Sequence, residues 1–83
     1  MMTERAKECV SIIEQGVKLV NGALIEGEKM DSHIQVFSHK GSEVVNVVLS
    51  DKKGNIPPVV FSGSPARVGV ECGLFLVMVL KGK

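Results

Sequence analysis

The stretch CGLFLVMVLKGK, residues 72–83, decides how the rest of the sequence is interpreted. It holds seven consecutive apolar residues, 74–80, and closes with lysine and glycine. A helix that spans a bilayer needs about 20 predominantly apolar residues. The run is therefore too short to cross a membrane, and we expect no membrane partner.

The residues before this run extend the pattern towards the N-terminus. From Val68 to Leu80 every even position is apolar, and this period of two predicts a strand over 67–80. In its second half the odd positions are apolar as well, so both faces of the strand need cover. We expect either closure of the sheet into a barrel or a second copy of the chain to provide it. The predicted interface consists of Leu74, Phe75, Leu76, Val77, Met78 and Val79.

The N-terminal segment 3–20 has the period of a helix. Its apolar residues recur at intervals of three and four and cover one half of a helical surface, with charged residues on the other half. Thr3 is a suitable N-cap, and Asn21-Gly22 is typical of the residues just past a helix end. Small residues at Ala6 and Gly16 allow a close approach to a sheet or to another helix. We predict an amphipathic helix that packs on the sheet.

After Gly22 the period changes to two, with turn residues recurring between short runs. Pro57 and Pro58 cannot donate to a ladder, which places their strand at an edge of the sheet. The predicted fold is a single α+β domain over 1–83, in which the helix packs on an antiparallel sheet of four to five strands. The sheet is either open or curled into a small barrel, since short aliphatic strands with glycine bends suit both. The predicted strands are 23–27, 33–39, 43–50, 56–61 and 67–80.

Composition limits the classes of partner. The formal net charge is +1, and the three phenylalanines are the only aromatic residues apart from the histidines. Such a chain has neither the field nor the stacking groups that favour nucleic acid, which is an unlikely partner. The opening MMTERAKECV lacks the apolar core of a secretory signal. We predict a cytoplasmic protein with two reduced, buried cysteines.

The segment FSGSPARVG, residues 61–69, offers backbone amides followed by Arg67. A meander would bring Lys40 towards the same end of the sheet. This pattern predicts an anion-binding site formed by Lys40, Ser62, Ser64 and Arg67. The same residues are also an ordinary turn, since the lysine and the helix start of a P-loop are lacking.

Residues suited to catalysis or metal binding are sparse. His33 and His39 lie about 20 Å apart along a strand, too far to share one metal ion. An enzyme would have to use Ser64 or Cys72 as a nucleophile with His39 as its base. We predict no catalytic residues, no metal site and no cofactor.

These observations favour a small, non-catalytic protein that binds other proteins, of the regulator, inhibitor or assembly type. We expect it to form a homo-oligomer, a dimer first, and to bind another protein as well. The alternative is a binder of a small anionic ligand or nucleic acid at the end of the sheet that holds Lys40 and Arg67.

Overall fold

The computed structural model describes residues 3–38, 41 and 44–82 of the chain. Helix α1 (Glu4–Ala23) comes first, followed by a 3-10 turn (Glu26–Glu28), three strands and a second helix. The strands β1 (Ser32–Ser38), β2 (Val45–Asp51) and β3 (Val59–Gly63) form an antiparallel sheet in that order, and helix α2 (Pro65–Lys81) ends the fold. The predicted α+β class with an antiparallel sheet is confirmed.

The details of the sheet differ from the prediction. Over the described residues it has three strands rather than four or five, and it is open rather than closed into a barrel. The strand predicted at 23–27 was wrong, because α1 continues to Ala23 and Leu24 caps it. Asn21 lies within the helix rather than at its end. Its side-chain amide donates to the Met30 carbonyl at 3.0 Å and accepts from the Met30 N–H at 2.9 Å.

The largest correction concerns the strand predicted at 67–80, which is the helix α2. Ser64 caps this helix by accepting a hydrogen bond from the Arg67 amide at 3.3 Å, and Pro65 occupies the first turn, where its missing N–H costs nothing. Val68, Cys72 and Leu76 are buried at intervals of four. The buried positions therefore follow the repeat of a helix rather than the alternation of a strand.

The strand register places one face of the sheet against the helices. Val47 lies opposite Val36 on β1 and opposite Phe61 on β3. Val45, Val47, Leu49 and Asp51 are buried at alternate positions along β2. Because β3 begins after Pro57 and Pro58 and pairs with β2 alone in the described sheet, the predicted edge position of this strand is confirmed.

The two helices pack side by side on that face. A Cβ atom placed on Gly16 would lie 2.7 Å from Leu76 Cδ1, and one placed on Gly69 would lie 3.4 Å from Ile12 Cγ2. Residue 12 of α1 lies near residue 69 of α2, and residue 16 lies near residue 76, so the two helices run in the same direction. Phe75 of α2 meets Phe61 of β3 edge to face, with ring centroids 6.0 Å apart. The small residues thus allow both helices to share one narrow sheet.

Asp51 joins the loops at the far end of the sheet. Its carboxylate accepts hydrogen bonds from the amides of Asp31 at 2.9 Å, Lys53 at 3.1 Å and Asn55 at 3.0 Å. Burial alone would raise the pKa of this carboxyl, but the three backbone donors and the Lys53 charge outweigh burial and hold the pKa below its ordinary value. The ionised side chain therefore stabilises the folded state.

The contact between Gly16 and Leu76 predicts the effect of a larger side chain. Gly16→Leu should lower the free energy of unfolding by about 1–3 kcal/mol, because the new side chain overpacks the helix interface. Gly22→Leu is the matched control, since open space surrounds Gly22 near the end of the same helix. Urea unfolding of both variants checks this, and equal stabilities would contradict the described packing of α2 on α1.

The lowered pKa of Asp51 predicts that the stability of the fold depends on pH. Asp51→Asn should lower the free energy of unfolding by about 1–3 kcal/mol at pH 7, because an amide cannot accept from all three donors. The folded pKa lies below the unfolded value of about 3.9, so the carboxylate contribution is complete well above that value and is lost as pH falls through the folded pKa.

The difference in urea unfolding between wild type and Asp51→Asn should therefore shrink as pH falls below the unfolded pKa of about 3.9. Asp31→Asn is the control, because it removes the same charge from an exposed residue beside the network. A destabilisation of equal size in both variants at pH 7 would show that net charge, not the hydrogen bonds, is responsible.

Candidate functional site

Helix α2 carries apolar side chains around almost its whole circumference. Between Arg67 and Lys81 the only charged residue is Glu71. Val68, Cys72 and Leu76 are buried in the core, with Phe75 and Val79 packed against it. The opposite side is exposed and also apolar. We call this side the outer face of α2 and define it by Val70, Leu74, Val77 and Met78.

The outer face follows from the helical period. At about 100° per residue, positions 70, 74, 77 and 78 fall on one side of the helix, opposite the buried row of Val68, Cys72 and Leu76. Their exposed fractions are 65% for Val70, 64% for Leu74, 48% for Val77 and 70% for Met78. Water therefore meets a continuous row of aliphatic and thioether side chains.

Charged residues mark the ends of this row. Arg67 Nε lies 3.1 Å from Glu71 Oε1, an ion pair one turn apart near the start of α2. Lys81 is in the last turn, where a cation is favoured by the partial negative charge of the helix end. The outer face thus runs from a paired Arg67 and Glu71 to Lys81.

The structure divides the predicted interface residues between two environments. Leu74, Val77 and Met78 lie on the outer face, whereas Leu76 is buried and Phe75 and Val79 pack against the core. Val70, which sequence reasoning missed, joins the exposed set. The Ser64-Pro65 start signal would have revealed it, because a helix begun there places residue 70 one turn before residue 74.

The residues of the predicted anion site are engaged locally. Ser62 Oγ donates to Asn46 Oδ1 at 2.6 Å, the Ser64 hydroxyl caps α2, and Arg67 pairs with Glu71. Val45 pairs with both Ser38 and Gly63, so the connection that carries Lys40 does start from the same end of the sheet as α2. Lys40 itself lies outside the described residues. An anion would have to compete with these existing partners.

The residues considered for catalysis are not assembled into a described site. His33 lies on the exposed face of β1, and His39 is outside the described residues. Cys9 and Cys72 are free and buried. Burial raises the pKa of both thiols, and for Cys9 the charge of Glu8 adds to the rise. Both cysteines therefore stay in the thiol form, which is a weak nucleophile.

Three further features of the described residues concern metal binding, membrane spanning and surface grooves. Within the described ranges, no three side chains of the metal-binding types come together as a possible metal site. The same residues contain no helix with both the length and the apolar character needed to span a bilayer. A shallow groove of about 460 Å³ lies on α1, lined by Gln15, Lys18, Leu19 and Gly22.

Comparisons of the chain with protein-family models, with curated proteins and with solved structures found no match.

The burial of the cysteines predicts their reactivity. In the native protein neither Cys9 nor Cys72 should react with a thiol reagent at pH 8, whereas both should react in urea. Ser11→Cys on the exposed side of α1 is the control and should add one thiol that reacts at once. Rapid labelling of native Cys72 would mean that α2 does not hold its described position in the core.

Proposed function

We propose that this chain is a non-catalytic interaction and assembly protein that binds other protein surfaces through the outer face of α2, as a regulator or inhibitor would. The observation that carries the proposal is the row of four exposed apolar side chains on a helix whose opposite side is already buried. The proposal includes association of the chain with itself, and the oligomer that we expect first is a dimer.

The first support is the character of α2. A helix that is apolar all round belongs in an interior, because its exposed side would otherwise meet water. In this fold the sheet and α1 cover one side of α2 and leave the outer face open. A protein partner supplies the missing layer, much as a second layer covers a sheet or helix within a domain.

The second support is the size of the surface. Val70, Leu74, Val77 and Met78 expose roughly 400 Å², which is within the range of the largest apolar patch on a monomer and often marks a binding site. That area is about half of what each partner contributes to an interface of standard size. We therefore expect reversible association of moderate affinity.

The non-catalytic assignment is supported by the state of the nucleophile candidates. The hydroxyls of Ser62 and Ser64 hold the sheet and the helix start, and the Cys72 thiol is buried. We also propose a cytoplasmic location, because two free, buried cysteines suit a reducing compartment.

Light scattering over a dilution series from roughly 1 µM to 1 mM tests this proposal. Wild type should change from monomer to dimer over that range, and Leu74→Lys or Met78→Lys should keep it monomeric with an unchanged circular dichroism spectrum. Lysine is a good helix former, so loss of the dimer would report on the surface rather than on folding.

Val60→Lys is the matched control, since Val60 is also apolar and exposed but lies on β3. This variant should dimerise as wild type does. A second measurement is an affinity column that carries the wild-type protein, with a column of Leu74→Lys as the blank. The proposal would be overturned if wild type stays monomeric at every concentration and its column also retains no partner.

A further inference from the structure

We infer that the outer face of α2 is covered by α2 of a second copy, packed antiparallel about a two-fold axis that passes level with Leu76. This inference rests on the proposed function and adds the identity of the partner and its orientation. Two observations carry it: the positions of the apolar residues and the positions of the charges along α2.

The apolar residues are placed symmetrically along the helix. Leu74 lies two residues before Leu76 and Met78 lies two residues after it, so both are about 3 Å from its level along the axis. Both are on the outer face. An antiparallel second copy centred at this level sets Leu74 against the partner's Met78 and Met78 against the partner's Leu74. The contact is self-complementary, as a two-fold interface must be.

The charges have the same centre of symmetry. Glu71 lies five residues before Leu76, and Lys81 lies five residues after it. Antiparallel packing therefore brings Glu71 level with the partner's Lys81, and it does so twice in each dimer. A parallel arrangement would set Glu71 beside the partner's Glu71 and Lys81 beside the partner's Lys81. Like charges at an interface oppose association, so the charges select the antiparallel orientation.

The existing ion pair is compatible with this contact. Arg67 Nε bonds only one carboxylate oxygen of Glu71, Oε1, in the described structure. A carboxylate has several acceptor positions, so it can accept from Lys81 of the partner subunit while it keeps Arg67. The long lysine side chain spans the seam while its stem covers apolar surface.

The size of the face sets the strength of the contact with a second copy. The exposed row is one helix wide, and roughly 400 Å² from each of two copies gives about 800 Å² in total, which lies below the standard interface size and is typical of weak, reversible association. The competing route to self-association is edge pairing of β1 or β3, since each has one edge without a strand partner among the described residues.

Disulfide trapping tests the orientation. Leu74→Cys and Met78→Cys are made separately, and the native cysteines stay in place because both are buried. Oxidation of an equal mixture should give the disulfide that joins the two variants as well over half of all cross-linked product, where half is the share that random pairing alone would give. Mass spectrometry distinguishes the three products. An excess of disulfides between two copies of the same variant would overturn the antiparallel packing.

Charge reversal tests the register. Glu71→Lys and Lys81→Glu should each weaken dimerisation by roughly three- to tenfold, and the double variant should restore it. Urea unfolding of each variant serves as the folding control, since Glu71→Lys also removes the pair with Arg67. A double variant that is as weak as either single variant would overturn the predicted pairing of Glu71 with the partner's Lys81.

Together with light scattering, these outcomes separate the inference from the proposed function. A wild-type monomer at all concentrations overturns the inference at once, whereas the affinity column still decides whether another protein binds the face. If Leu74→Lys abolishes the dimer but the disulfides join two copies of the same cysteine variant, the outer face is the interface and the antiparallel orientation is wrong. A dimer that survives both Leu74→Lys and Met78→Lys overturns the use of this face and points to an edge of the sheet.

Discussion

The packing of Leu76 against Gly16 sets how α2 sits on the rest of the molecule. The absence of a side chain at Gly16 lets Leu76 reach into the space between the helices, where it is buried. Once Leu76 points inwards, the rotation of α2 about its axis is fixed. Val68 and Cys72 then lie in the core, and Val70, Leu74 and Met78 lie opposite, in water. The candidate interface is therefore a direct consequence of the contact that stabilises the fold.

Local periodicity predicted the first part of the fold well. The amphipathic pattern of residues 3–20 and the alternation along β1 and β2 each fit one kind of element, because these elements have one buried and one polar side. Asn21 misled the prediction of the helix end, since its side chain bonds Met30, a partner nine residues away. A tertiary hydrogen bond of this kind leaves no local signal in the sequence.

The strand prediction for residues 67–80 was wrong because this segment, unlike the amphipathic elements, is apolar on nearly all sides. Such a run satisfies a period of two and a period of 3.6 equally, and its β-branched residues favoured the strand. Two signals argued for a helix. The predicted strand was longer than strands in globular proteins usually are, and Ser64-Pro65 is a common helix start.

The candidate site was predicted in location but not in geometry. Alternation along a strand would present consecutive residues on two faces, whereas the helix turns Leu74 and Met78 outwards and Leu76 inwards. The predicted anion site met a different difficulty, since Ser64 and Arg67 already serve the start of α2. Side chains that cap or pair within their own helix are less available to a ligand.

Nuclear Overhauser effects between subunits test most directly whether a second copy covers α2. In a concentrated mixture of isotope-labelled and unlabelled protein, a filtered spectrum separates contacts between copies from the contact that Leu74 and Met78 make within one helix. Antiparallel packing predicts an effect from the Met78 methyl group to the partner's Leu74 methyl groups. The second-copy account would be contradicted if the Met78 methyl group shows effects only to its own chain and its chemical shift does not change on dilution.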